Sequence, residues 1–322
     1  QLLDQLPQFE RFDGTLSMDL AVDGFAENLQ ISGWAEVEDL ELRLLDVKPS
    51  YFFPTGRLDF SGRRGELRDF VGHPLKGEGR AELSGYVELG TLDSLSYDLR
   101  LQTENLPLNY DDLFVAPGID LDANLHSTPT GSLLRCPVLR IYKAQAEVPL
   151  IDPNAPPVPP PPATVSDPFF ENMQLDIAFD LRDLLVENEV LRLRMEGFSR
   201  IYGTFYKPRF QGSLEIPEGK VFVLNSEFTF EKGRISLDRP VPWSIFDLAY
   251  DPRLLNPDLD IELSATIHLS GEDAADLGAE DCQVTLKLQG PTIGVVPVFI
   301  SEPSIPELQL YSLLAFGTTQ MP

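Results

Sequence analysis

The sequence predicts an all-β protein, and three observations carry that prediction. Between Leu259 and Ser270 hydropathy alternates without a break. Leu259, Ile261, Leu263, Ala265, Ile267 and Leu269 fall on one side, and Asp260, Glu262, Ser264, Thr266, His268 and Ser270 on the other. A period of two over that length is a β-strand with one dry face and one wet face. Shorter alternating runs recur along the chain between turn-forming residues. Glycine (23) and proline (28) are both frequent while long helical periodicities are nearly absent, which points the same way.

The elements follow in order. Leu16, Met18, Leu20 and Val22 alternate with polar residues until Gly24, and Ile31 to Val37 and Leu40 to Leu44 read as two further strands. Gly56 to Phe60 and Glu66 to Phe70 form a hairpin, with Arg63, Arg64 and Gly65 at its turn. Ala81, Leu83, Gly85, Val87 and Leu89 share a face, as do Leu95, Tyr97, Leu99 and Leu101, then Ile119, Leu121, Ala123 and Leu125. The repeating unit has no fixed length, so the sheet grows as a meander and not as a solenoid. Alternation alone fits an open sheet and a closed sandwich equally.

Residues 149–168 hold nine of the 28 prolines. A stretch so poor in backbone donors is excluded from a sheet interior and reads as a loop or linker. It divides the chain into an amphipathic β segment (1–150), a proline-rich loop (151–168) and a carboxyl-terminal unit (169–322). In that unit Leu175, Ile177 and Phe179 alternate with Asp176, Ala178 and Asp180, and Leu191, Leu193 and Met195 follow. Leu214 and Ile216, Phe228 and Phe230, and Ile235 and Leu237 read as short strands, with Glu218-Gly219 and Lys232-Gly233 as hairpin turns. Residues 243–250 bridge two strands. Val284, Leu286 and Leu288, in register with Cys282, and then Ile293 to Val298 complete the sheet.

The end changes character. Ser304 followed by Glu307 is a capping-box signature, and Gly317 is a helix stop. Between them Leu310, Leu313 and Leu314 share one helical face that Tyr311 and Phe316 widen. A helix this short must dock, so these five residues cap the sheet edge or meet a partner.

Several function classes are excluded or weakened. A net charge of −26 opposes binding to nucleic acid or anionic membrane surfaces. Two cysteines, Cys136 and Cys282, make no disulfide framework, and Cys282 is expected as a small buried hydrophobe. His73, His126 and His268 lack ligand spacing, so no metal site is expected. No catalytic motif, phosphate loop or cofactor fingerprint occurs, and the carboxylates of Asp258, Asp260 and Glu262 are a solvated strand face, so no enzyme is expected. There is no run of 18 apolar residues and no signal peptide at Gln1. The chain is therefore expected to be a piece of a longer protein.

Three blocks carry a family resemblance: GSLEIPEGKVFVLNSEFTFEKGRISLDRP, then NPDLDIELSATI, then SEPSIPELQLYSLLAFG. Gly212, Leu214, Gly219, Phe228, Phe230, Gly233, Ile235, Asn256, Pro257, Ser301, Pro303, Glu307, Tyr311, Leu313, Leu314, Phe316 and Gly317 match, in order and spacing, the pattern of the TamB C-terminal domain. The chain thus resembles TamB-like, AsmA-like envelope proteins. The proline-rich insertion departs from that pattern, and the first 150 residues match only in style. The resemblance implies a long antiparallel-rich sheet curled into an open trough, a β-taco, with a short C-terminal helix. It implies a periplasmic segment of a protein anchored in the inner membrane, working with an outer-membrane barrel of the BamA superfamily. The implied task is moving phospholipid between the membranes; an assembly scaffold for outer-membrane proteins is the alternative, and a closed structural domain a third. Under the conduit reading the acyl chains would lie against Leu175, Ile177, Phe179, Leu214, Ile216, Phe228, Phe230, Ile235, Leu237, Leu259, Ile261, Leu263, Ile267, Leu269, Val284, Leu286 and Leu288.

Overall fold

The computed structural model describes residues 9–25, 29–44, 47–90, 95–110, 114–147, 168–240 and 255–319. Seventeen strands form one sheet that does not close into a barrel. They are β1 (Phe9–Asp23), β2 (Gln30–Leu44), β3 (Val47–Lys48), β4 (Tyr51–Gly62), β5 (Arg64–Pro74) and β6 (Arg80–Leu89). Then come β7 (Leu95–Tyr110), β8 (Phe114–Thr128), β9 (Gly131–Tyr142), β10 (Gln145–Glu147), β11 (Met173–Glu187) and β12 (Leu191–Thr204). The last are β13 (Lys207–Val223), β14 (Ser226–Pro240), β15 (Asp258–His268), β16 (Asp281–Pro291) and β17 (Val298–Glu302). Among the described residues three helical pieces accompany them: α1 (Pro168–Glu171), α2 (Glu272–Leu277) and α3 (Glu307–Phe316). The proline-rich stretch up to residue 167 and the expected bridge at 243–250 lie outside the described residues.

Apart from the short β3 and β10, the strands are stacked in chain order, each antiparallel to the last with one exception. At a spacing of ~4.8 Å the stack runs roughly 67 Å from β1 to β17. The exception is β11, which runs parallel to β9 with Met173 opposite Ser132 and Arg182 opposite Tyr142. The sheet therefore continues from one side of the proline-rich stretch to the other. On its wet face Asp176 lies 2.6 Å from Arg200 and 3.8 Å from Arg135. Asp180 likewise sits between Arg182 at 2.8 Å and Arg140 at 3.6 Å. Exposed pairs of this kind each contribute at most about 1 kcal/mol, but they favour one register across the parallel joint.

The strands are longer than their alternation suggests. Ile31, Gly33, Ala35 and Val37 keep one parity and Leu40, Leu42 and Leu44 the other, yet all lie in β2. The slip is a bulge at Asp39, where the register against β1 shifts and φ is +51°. Asp69 (φ +59°), Asn105 (φ +49°) and Asp183 (φ +59°) mark the same event in β5, β7 and β11. Aspartate and asparagine tolerate the left-handed conformation better than other side-chain-bearing residues. A bulge adds one residue, flips the parity beyond it and bends the strand. Repeated near mid-strand across many strands, that bend curls a flat sheet into a trough.

Two expected hairpin turns are corrected for this reason. Glu218-Gly219 lies inside β13 and Lys232-Gly233 inside β14, next to register shifts against β12 and β15. The turn between them is Leu224-Asn225, both at positive φ. Gly219 serves packing: a Cβ there would come within 2.7 Å of the Leu193 Cβ and 3.0 Å of the Phe230 ring. Gly85 serves close approach, since at φ +126° its Cβ would meet the Asp98 carbonyl oxygen at 2.0 Å. The last strand also differs: β17 occupies Val298–Glu302, so Ile293 to Pro297 precede it.

Candidate functional site

Strand pairing assembles the dry faces into one surface. A single row passes Ile119, Ile141, Leu181, Gly197, Leu214, Ile235, Leu259 and Gly290, each opposite the next across adjacent strands from β8 to β16. Leu175, Ile177 and Phe179 stand opposite Leu134, Cys136 and Leu139 of β9. Ile261, Leu263, Ala265 and Ile267 stand opposite Leu288, Leu286, Val284 and Cys282. Phe228 and Phe230 have the opposite parity to Ile235 and Leu237, yet share their face, because the bulge near Glu231 intervenes. Ile216 packs against Gly233, and Leu237 pairs with Gly212. Leu269 follows β15 into the same core. Strand pairing thus gives these seventeen residues one shared face, and those around Phe228, Leu263, Val284 and Leu286 are buried within one core.

Residues missing from that set share it too. Leu184, Val186, Val221 and Val223 lie past bulges, where the parity has flipped. Leu99, Leu125 and Leu134 extend the surface through the first half of the chain, and the alternation around Leu99 and Leu125 was legible in the sequence.

The surface has two regimes. Toward β1 it is open: Leu16 is 61 % exposed, and Met18 and Val22 are each 63 % exposed. No second sheet covers it among the described residues. Toward β17 the chain's own helix lies on it. Leu310, Leu313 and Leu314 of α3 are buried with Phe228, Leu263, Cys282 and Val284 in one core. Tyr311 meets the Phe299 ring edge-on at 5.6 Å, and Phe299 meets Phe228 at 6.5 Å. The Ser226 hydroxyl donates to the Leu314 carbonyl oxygen at 3.0 Å. The helix therefore covers the trough floor where the sequence suggested an edge cap.

The ends of α3 differ from expectation at one side only. The capping box is not formed: the helix starts at Glu307 with Pro306 as its cap, and the Glu307 carboxylate accepts from the Tyr311 hydroxyl at 2.7 Å. Gly317 does stop it, in the left-handed conformation, its N–H donating to the Leu313 carbonyl oxygen. A second helix, which alternation could not reveal, joins the cover. Ala274 and Leu277 of α2 pack on the same core, while the buried Asp273 carboxylate accepts from the Thr319 N–H and hydroxyl. Hydrogen bonds from Thr319 hold the Asp273 carboxyl below the usual range.

The polar groups sit elsewhere. Asp260 is 2.5 Å from Lys232 and Glu262 is 3.0 Å from Lys287, both on the wet face. The Lys232 hydrogen bond lowers the Asp260 carboxyl. His268 reaches Asp281 at 3.1 Å, and His126 meets Asn124 at 2.7 Å. Among the described residues no group of His, Cys, Asp and Glu is placed to hold a metal ion. Cys136 and Cys282 are both buried and free, each thiol raised by burial. Among the described residues no helix is long and apolar enough to cross a membrane.

Such a surface binds by removing apolar area from water, at ~0.8 kcal/mol per methylene. It has no fixed hydrogen-bonding geometry along its length, so a hydrocarbon chain can slide on it. Comparison with known proteins gives one finding: the family model described as the TamB C-terminal domain matches residues 72–321, more than three quarters of the chain. No curated protein matches.

Proposed function

Because the chain belongs to the TamB C-terminal domain family, we propose that it carries phospholipid acyl chains along its trough as part of a TamB-like envelope protein. The observation that carries this reading is the unbroken apolar row from β8 to β16, with no second sheet over it among the described residues. A filled sandwich would offer no room for a guest, whereas a trough offers methylene contacts along the part of its floor that α2 and α3 leave uncovered and leaves headgroups at its mouth. The negative exterior suits a segment that crosses the periplasm without adhering to anionic membrane surfaces. Anchoring in the inner membrane and engagement of an outer-membrane barrel of the BamA superfamily belong to the same proposal, and so does the absence of catalysis.

The test is direct. Protein purified without added detergent should carry extractable phospholipid by mass spectrometry and should take up a fluorescent acyl-labelled phospholipid. Protein that is folded, free of lipid and unable to take any up would refute the conduit.

A second reading, an assembly scaffold for barrel proteins, rests on the sheet's far edge. β17 pairs only with Gln283 to Lys287 of β16, so among the described residues Leu288 to Pro291 have no strand beyond them. Exposed edges accept added strands. Stoichiometric capture of a barrel-strand peptide at that edge, without lipid uptake, would favour the scaffold.

A further inference from the structure

Helix α3 lies along the trough, not across it. Its approach is held at β17, where the Ile305 N–H donates to the Ser301 hydroxyl at 2.9 Å. Its far end is held at β14, where the Ser226 hydroxyl donates to the Leu314 carbonyl oxygen at 3.0 Å. Between β14 and β17 the sheet runs β14–β15, β15–β16 and β16–β17, so at ~4.8 Å per spacing they are ~14 Å apart. The ten residues of α3 span ~15 Å at ~1.5 Å per residue. The helix therefore runs in the direction a guest takes when it slides from strand to strand.

It also uses the guest's contacts. Leu310, Leu313 and Leu314 are buried with Phe228, Leu263 and Val284. Leu214, Ile235 and Leu259 of the continuous apolar row pack on that same core, so the row leads to the helix. Such contacts are non-directional, and methylenes of a hydrocarbon chain can take the place of leucine side chains. The other side of α3 keeps apolar residues as well: Leu308 is 65 % and Phe316 68 % exposed, where a helix made only to cover a floor carries polar ones. Beyond Gly317 the chain is tied down once more, by the Thr319 N–H and hydroxyl donating to the buried Asp273 carboxylate of α2.

We propose that α3 is a built-in competitor for the trough floor: docked, it closes the track over β14 to β16, and an acyl chain reaches those strands only when the helix swings away about its Ser301–Ile305 link. The proposal rests on the conduit reading and adds regulation to it. By linkage, whatever releases α3 raises the affinity of these strands for the chain, and a chain bound there favours release of α3 to the same extent.

The test uses phosphatidylcholine vesicles that contain a lipid with a photoreactive acyl chain, and mass spectrometry to place the crosslinks. In the parent they should fall on β8 to β11. Leu313→Asp should raise labelling of β14 to β16 by about tenfold, the factor for opening a site that is closed about nine times in ten, and leave β8 to β11 unchanged. Leu308→Asp should change neither. Cys282, buried beneath the helix, reports release without lipid: in a Cys136→Ala background its reaction with a thiol reagent should be about tenfold faster in Leu313→Asp, and lipid should slow it again. Leu313→Ala should move both readouts the same way by a smaller factor, and it decides the matter if the aspartate variant loses its strands. Faster Cys282 reaction with no gain of crosslinks on β14 to β16 would overturn the competition. So would crosslinks there in the parent while the α3 amides keep full protection from hydrogen exchange. Crosslinks on no strand, in parent or variants, would overturn the conduit, and this proposal with it.

Discussion

Replacing Leu313 by aspartate should lift α3 off the trough floor and leave the sheet folded. Leu310, Leu313 and Leu314 are 2 %, 1 % and 2 % exposed. At about 1.5–3 kcal/mol for each buried leucine, they hold the helix with roughly 5–9 kcal/mol before the entropy of ordering it is subtracted. Leu313→Asp removes about 2–5 kcal/mol of packing and adds about 1–3 kcal/mol for a carboxyl facing Phe228 and Leu263. That sum is comparable with everything that docks the helix, so the helix should leave before the strands separate. Hydrogen exchange is the assay. Amides from Leu310 to Gly317 should lose protection while those of β12 and β13 keep it, and an apolar dye should bind the uncovered floor. Leu308→Asp is the control, because Leu308 is 65 % exposed and should cost no more than about 0.5 kcal/mol. Retained protection of α3 in Leu313→Asp would refute the reasoning. So would simultaneous loss of protection throughout the sheet, since the helix would then belong to its cooperative core.

Three further outcomes are expected. Ile177→Asp, in the open part of the floor, should cost about 2–3 kcal/mol and block lipid transfer, whereas Gln174→Asp on the wet face should do neither; equal transfer in both would count against a sliding chain. Asp69→Val should lower stability by about 1–2 kcal/mol because a β-branched residue resists the φ of +59° at that bulge, while Asp69→Gly should not; thermal melts compare the two. Acid should loosen the α2–α3 cover. The Asp273 carboxyl is lowered in the folded protein, so its contribution is present above the unfolded value near 3.9 and is lost as pH falls through the lower folded value. Exchange of the α3 amides should rise below about pH 4 in the parent, and Asp273→Asn should show weak protection already at neutral pH with no such acid step.

Much of the trough was legible because burial on a sheet has period two. Leu259 to Leu269 declare their face outright, and Leu175 to Phe179 or Leu95 to Leu101 do so nearly as well. The residues from Ser304 to Gly317 pointed to the C-terminal helix and the family resemblance supplied the open, curled sheet; an unclosed sheet with a C-terminal helix is what the structure has. Alternation could not separate a turn from a bulge, since each interrupts the parity. That is why Gly219 and Gly233 were expected at hairpin turns when they lie inside β13 and β14.

The amino-acid sequence by itself determined which side chains go to the dry face within each run, and where helix α3 stops. Both depend on neighbours a few residues away. Only the tertiary structure decided that broken runs such as Ile31–Val37 and Leu40–Leu44 are one strand bent at Asp39. Only it decided that β9 and β11 join in parallel, that β3 reaches β7, and that α3 lies on Phe228 and Leu263. Each of these unites residues far apart in the chain, and hydropathy of a segment carries no information about its distant partner.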